Sequence, residues 1–178
     1  MARKSSEDRE IELLLEGYRH AKYETFLKDF LRESLRIEGI IRNPTDAEMK
    51  AARKFLALKK ITVADMVALV AVIAPDAKLR NVPGRNVVIR RVHEDGTEKI
   101  TYRAPQGGPQ IETGLRLLLN GAASKNPHEL HCAYETLHPF TDGNGRSGRL
   151  LWLWCRKGVA PLLFLQEFYY ETLNAYRG

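Results

Sequence analysis

His138-Pro139-Phe140-Thr141-Asp142-Gly143-Asn144-Gly145-Arg146-Ser147-Gly148-Arg149 is the stretch on which the reading of this chain turns. An apolar helical pattern precedes it and another follows, so it predicts a bend between two helices. Gly143 and Gly145 allow backbone turns that other residues resist. They would leave N–H groups open at a helix N-terminus, where the dipole favours negative charge. Arg146 and Arg149 are spaced to share one face of the following helix. Two guanidiniums beside backbone donors make a polyphosphate cradle. Asp142 is a hard oxygen ligand suited to Mg²⁺ carried by phosphates. His138 is the side chain here that takes a proton near neutral pH.

Three other readings compete. Gly143 to Gly148 fits G-x-G-x-x-G, but that dinucleotide fingerprint needs a preceding strand and a βαβ unit, and here helices flank it. His128, His131, His138 and Asp142 could hold a Zn²⁺-like ion, which leaves the glycines and arginines unexplained; His131 reads better as a core histidine on an apolar face. A structural turn needs Gly and Asn, but rarely a His, an Asp and two Arg as well.

Working outward, Leu14, Leu15, Tyr18, Phe26, Leu27, Phe30, Leu31 and Leu35 recur at helical spacing and predict a long helix from Glu7 to Glu38, stopped by Gly39. Thr45 and Glu48 offer a capping box for a helix through Leu58. Thr62 and Asp65 repeat it before Met66–Ile73, with Pro75 as the stop. Between Asn86 and Arg103, β-branched runs flank Asp95-Gly96, a hairpin signal. Further helices are predicted over Gln110–Ala123, from the Asn126 cap into His138, over Arg146–Arg156 with Gly158 as stop, and over Pro161–Ala175. The fold class is mainly α with one β-hairpin, read as a single domain over 1–178 whose first 40 residues form the N-terminal helix.

Composition is that of an ordinary globule: 178 residues, 44% apolar, 28% charged and a net charge of +6. The basic residues are dispersed and mostly accompanied by acids, so nucleic-acid binding is not expected. No apolar run is long enough for a membrane span. The N-terminus is polar, without a secretory pattern, and Cys132 and Cys155 read as buried thiols, so a cytoplasmic location is expected. Trp152 and Trp154 read as core.

The segment His138–Arg149 resembles the signature of the Fic family, H-x-F-x-[D/E]-G-N-G-R-x-x-R, at every fixed position. The hairpin ending Tyr102-Arg103-Ala104-Pro105 resembles that family's flap, and Phe168–Leu173 its closing helix. The resemblance implies a Fic fold, with the flap beside the active-site loop, and a protein adenylyltransferase that moves AMP from ATP, with Mg²⁺, onto a Tyr, Ser or Thr hydroxyl of a target protein or of itself. It implies that His138 is the general base, that Asp142 holds Mg²⁺, that Gly143, Asn144 and Gly145 contact phosphates, and that Arg146 and Arg149 neutralise the β- and γ-phosphates. Phe140 would pack into the core and fix the loop. The flap would receive a target strand, with Val87, Val88, Ile89 and Arg90 as the docking residues.

Ser34-Leu35-Arg36-Ile37-Glu38-Gly39 resembles the family's inhibitory motif, [S/T]-x-x-x-E-[G/N]. On that resemblance Ser34, Glu38 and Gly39 form a brake in the same chain, Glu38 competing for Arg149. Glu38 could equally support removal of AMP. Relatives that transfer UMP, phosphate or phosphocholine supply alternative donors, phosphate being disfavoured because Gly143 and Gly145 are kept. A non-catalytic binding module is the alternative of another class. Self-association stays open, since some braked members dimerise.

Overall fold

The computed structural model describes residues 6–92, 96–157, 173, 175 and 176. It is mainly helical with one two-stranded antiparallel hairpin, the expected fold class. Contacts cluster into two compact units, residues 1–45 and 46–178.

The first unit holds α1, Ser6–Ile37. Leu27, Phe30, Leu31 and Leu35 are buried, following the predicted stripe. Gly39, at φ 74, ends the helix: its N–H donates to Arg36 O and that of Ile40 to Leu35 O. These two bonds are a Schellman cap, which only a left-handed residue after the helix allows.

The second unit begins with α2 (Asp46–Leu56) and α3 (Val63–Ile73). The capping box of α3 forms as predicted: Thr62 Oγ1 accepts the Asp65 N–H while Asp65 Oδ2 accepts the Thr62 N–H. The helix starts at Val63 rather than Met66. Strands β1 (Val88–Val92) and β2 (Glu98–Arg103) pair with a bulge between Ile89 and Arg90. β1 starts later than predicted; Val87 precedes it, its carbonyl accepting the Ala104 N–H. Gly96 has φ 80, as a tight turn requires; Asp95 lies outside the described residues.

Helix α4 covers Pro109–Leu119 and stops short of the predicted Ala123. Asn120-Gly121 breaks it, Gly121 adopting φ 69 ahead of a single 3₁₀ turn at Ala122–Ser124. Helix α5, Pro127–Leu137, is capped by Asn126, whose Oδ1 accepts the N–H groups of His128 and Glu129. Helix α6, Asn144–Cys155, packs against α5, α2 and α3. It is buried nearly all round, through Ser147, Gly148, Leu150, Leu151, Leu153 and Trp154, as a central helix should be. Trp154 donates Nε1–H to Leu58 O, while Trp152 is half-buried, with Arg156 over its ring. Cys132 is buried and Cys155 only partly so, and both are thiols rather than half-cystines. The Gly158 stop and the predicted Pro161–Ala175 helix, with the Phe168–Leu173 segment, lie outside the described residues apart from 173, 175 and 176. Among the described residues no helix is long and apolar enough to cross a membrane.

Candidate functional site

The site is built on the bend between α5 and α6. α5 ends in His138, a non-glycine residue at φ 49, ψ 61. That left-handed conformation reverses the chain, and the His138 side chain is half-buried beside the loop. Phe140, buried, pairs with Leu79 across an isolated antiparallel bridge. Its flanking bonds run from Arg80 N–H to Pro139 O and from Thr141 N–H to Lys78 O. Leu79 and Phe140 are thus the non-hydrogen-bonded pair, so the N–H and C=O of Phe140 face away from the partner strand. Asn144 meets them there: its Oδ1 accepts the Phe140 N–H at 2.9 Å and its Nδ2 donates to Phe140 O at 2.8 Å.

This departs from the expected direct phosphate contact of Asn144. The side chain is 2% exposed and both polar atoms are committed to the loop backbone. Its structural effect is to substitute for a missing strand and lock the loop. Phe140 packs into the core as expected.

Gly143 precedes α6 at φ 74, and a Cβ there would lie 2.8 Å from Ala74 Cβ. Both the dihedral and the space demand glycine. Its N–H is not open, as sequence reasoning expected, but donates to Asp142 Oδ1 at 2.6 Å. Gly143, the N-cap of α6, has no side chain to cap the first turn, so the helix turns backbone donors and the positive end of its dipole toward the bend. Ser147 Oγ turns inward, bonding Tyr134 Oη at 2.7 Å and the Gly143 and Asn144 carbonyls. Burial raises the Tyr134 hydroxyl well above its ordinary range, a shift that the Ser147 bond opposes and nearby Glu135 reinforces.

The two arginines differ more than their spacing suggested. Arg146 bonds the Ile73 carbonyl at the C-terminus of α3 and pairs with Asp142 Oδ2 at 3.3 Å. A cation there complements the dipole of α3. Arg149, one turn on, is fully enclosed at 0% exposure. The Asp142 carboxylate remains largely exposed despite its two partners. One such carboxylate fits a Mg²⁺ that arrives with phosphates. Among the described residues no three His, Cys, Asp or Glu groups form a metal cluster, and His131 is buried in the core.

Sequence reasoning missed Arg80. It is completely buried, and its five guanidinium donors bond the carbonyls of His138, Leu137 and Arg85 once each and that of Pro105 twice. Burial pushes its pKa below the usual arginine range, a shift opposed by Tyr102. A single Arg before an irregular stretch carries no sequence signal for this. The hairpin residues Val88 and Ile89 lie on β1 and Arg90 pairs with Glu98 at 3.6 Å. Tyr102 on β2 donates its hydroxyl to Thr136 O at 2.7 Å, which ties the hairpin to the end of α5. A cleft of about 790 Å³ between α3 and α4 includes no residue of the 138–149 bend.

The bend thus carries a glycine-led helix start, an arginine, a carboxylate and an imidazole in a mainly helical domain. A model of the Fic/DOC family matches residues 60–155. The chain belongs to the Fic/DOC family, whose members are typically transferases. The matched span takes in the hairpin and the whole bend and leaves Ser34, Glu38 and Gly39 outside it. A search of curated proteins gives no match.

Proposed function

We propose that this chain is a protein adenylyltransferase, transferring AMP from ATP to a Tyr, Ser or Thr hydroxyl of a target protein or of itself. The observation that carries the proposal is the α5–α6 bend, where one short loop joins His138, at the end of α5, to the N-terminus of α6 with Asp142 and Arg146. The first-turn N–H groups of α6, including that of Gly145, and the unused donors of Arg146 bind the phosphates. Asp142 would hold Mg²⁺, which supplies charge neutralisation on the phosphate oxygens. His138 takes the proton of the target hydroxyl. The hydroxyl oxygen then bonds to the α-phosphorus as the bond to the bridging oxygen breaks, and pyrophosphate leaves. Asn144 acts by holding the loop, so the transfer relies on positioning and charge stabilisation. The target segment docks along the hairpin at Val87–Arg90 as an added strand.

Incubation with ATP and Mg²⁺ followed by intact-mass analysis tests this. A gain of one AMP, absent in His138→Ala, is expected; no transfer to the chain or to any added protein substrate sinks the reading.

The proposal includes a brake. Glu38 competes with the γ-phosphate for Arg149. Its support is the Ser34–Gly39 motif. Glu38→Gly is expected to raise label transfer from α-labelled ATP. An unchanged rate in a folded variant removes the brake.

A further inference from the structure

A helix C-terminus leaves its last carbonyls without intrahelical partners. In α5 these carbonyls are met from outside. Thr136 O accepts the Tyr102 hydroxyl at 2.7 Å, Leu137 O accepts Arg80 Nη2 at 3.2 Å, and His138 O accepts Arg80 Nε at 2.8 Å. The remaining Arg80 donors reach Pro105 O at 2.9 and 3.0 Å and Arg85 O at 3.4 Å, on the two segments that lead into and out of the hairpin. The Arg80 backbone joins the same knot, its N–H on Pro139 O and its C=O accepting from Gly108 N–H. One guanidinium therefore grips both residues of the α5 terminus and both legs of the hairpin.

A buried charge bonded to neutral carbonyls is an expensive way to fill space, because desolvation opposes it. Two features here make use of the charge. It sits at the negative end of the α5 dipole, and its planar fork binds carbonyls at fixed angles as no lysine could. The residue it holds most directly is His138, whose left-handed backbone is strained and persists only where the surroundings impose it. We propose that Arg80 is a positioning residue for His138, with Tyr102 as a second tie, so that the hairpin and the imidazole move as one unit. A segment docked on the hairpin then presents its hydroxyl at a set distance from the base. The inference rests on the reading of His138 as the base.

The test uses Arg80→Lys and Tyr102→Phe in the full chain. The first readout needs no substrate: the imidazole NMR resonances of His138, assigned by their loss in His138→Gln. Both variants are expected to shift them. The second readout splits kcat from KM for ATP. Since the phosphate-binding groups lie on α6, KM for ATP stays within about twofold of the parent. The value of kcat falls about 10-fold in Tyr102→Phe and about 100-fold in Arg80→Lys, the scale of an ångström-level misplacement. Unshifted His138 resonances overturn the inference, as does a KM for ATP that rises in step with the loss of kcat. Should Arg80→Lys not fold, Tyr102→Phe decides by the same criteria. If the chain transfers no AMP at all, the adenylyltransferase reading fails while the resonances still decide the role of Arg80.

Discussion

Replacing Asn144 with Ala should unlock the loop without touching its glycines, its arginines or His138. The side chain is 2% exposed and bonds Phe140, itself 1% exposed, at 2.9 and 2.8 Å. No strand partner can take over, because the bridge to Leu79 places its own bonds on Pro139 and Thr141. Truncation thus leaves one buried N–H and one buried C=O, each costing roughly 1–3 kcal/mol. Better helix propensity for Ala at the first position of α6 returns up to about 0.7 kcal/mol. The expected net loss is roughly 1–5 kcal/mol, with Tm lower by about 3–20 °C for a chain of this size. Urea unfolding at constant m measures the first quantity, and hydrogen exchange at the Phe140 amide locates it. A loss below about 0.5 kcal/mol, or a Phe140 amide as protected as in the parent, would refute the reasoning. Asn144→Asp adds a control: its protonated form can donate to Phe140 O, so its deficit should shrink as pH falls through its own carboxyl pKa.

Gly143→Ala should cost roughly 1–2 kcal/mol from its φ of 74, and more from a Cβ placed 2.8 Å from Ala74 Cβ; a stability equal to the parent's in chemical denaturation would contradict this. Gly148→Ala puts a Cβ 2.5 Å from Glu135 Oε1 and 2.9 Å from Tyr134 Cδ1, so overpacking of about 1–3 kcal/mol is expected between α5 and α6, read as a lower urea midpoint. The Cys155 thiol is pushed up to about 11, chiefly by burial. Because the folded value is raised, this group's contribution to stability is present below the unfolded pKa and is lost as pH rises through about 11. At pH 8 its thiolate fraction should be about two orders of magnitude below that of an ordinary cysteine; alkylation of Cys155 in the folded protein as fast as in urea would count against it.

Much of the helical outline was legible because caps and periodicity are local. Thr62 with Asp65, Asn126 with Pro127, and Gly39 each act within one turn, and each forms as its residue types require. Asn120-Gly121 was a local signal too, and the helical run of apolar residues around it masked it. The chemistry-bearing stretch was legible because its residue types are improbable together for any purely structural purpose.

What the sequence by itself determined is the inventory: a mainly helical chain, a hairpin, and one bend gathering an imidazole, a carboxylate, glycines and arginines. Only the tertiary structure decided how those groups are used. Asn144 faces Phe140 because a bridge from Leu79, far away in the chain, orients that backbone. Arg149 is enclosed while Arg146 reaches Ile73, although both occupy one helix. Arg80 serves the end of α5 from a position 58 residues earlier. Helix caps close within a few residues and so are written locally. Burial and carbonyl bonding depend on which distant segments meet, and no local pattern encodes that meeting.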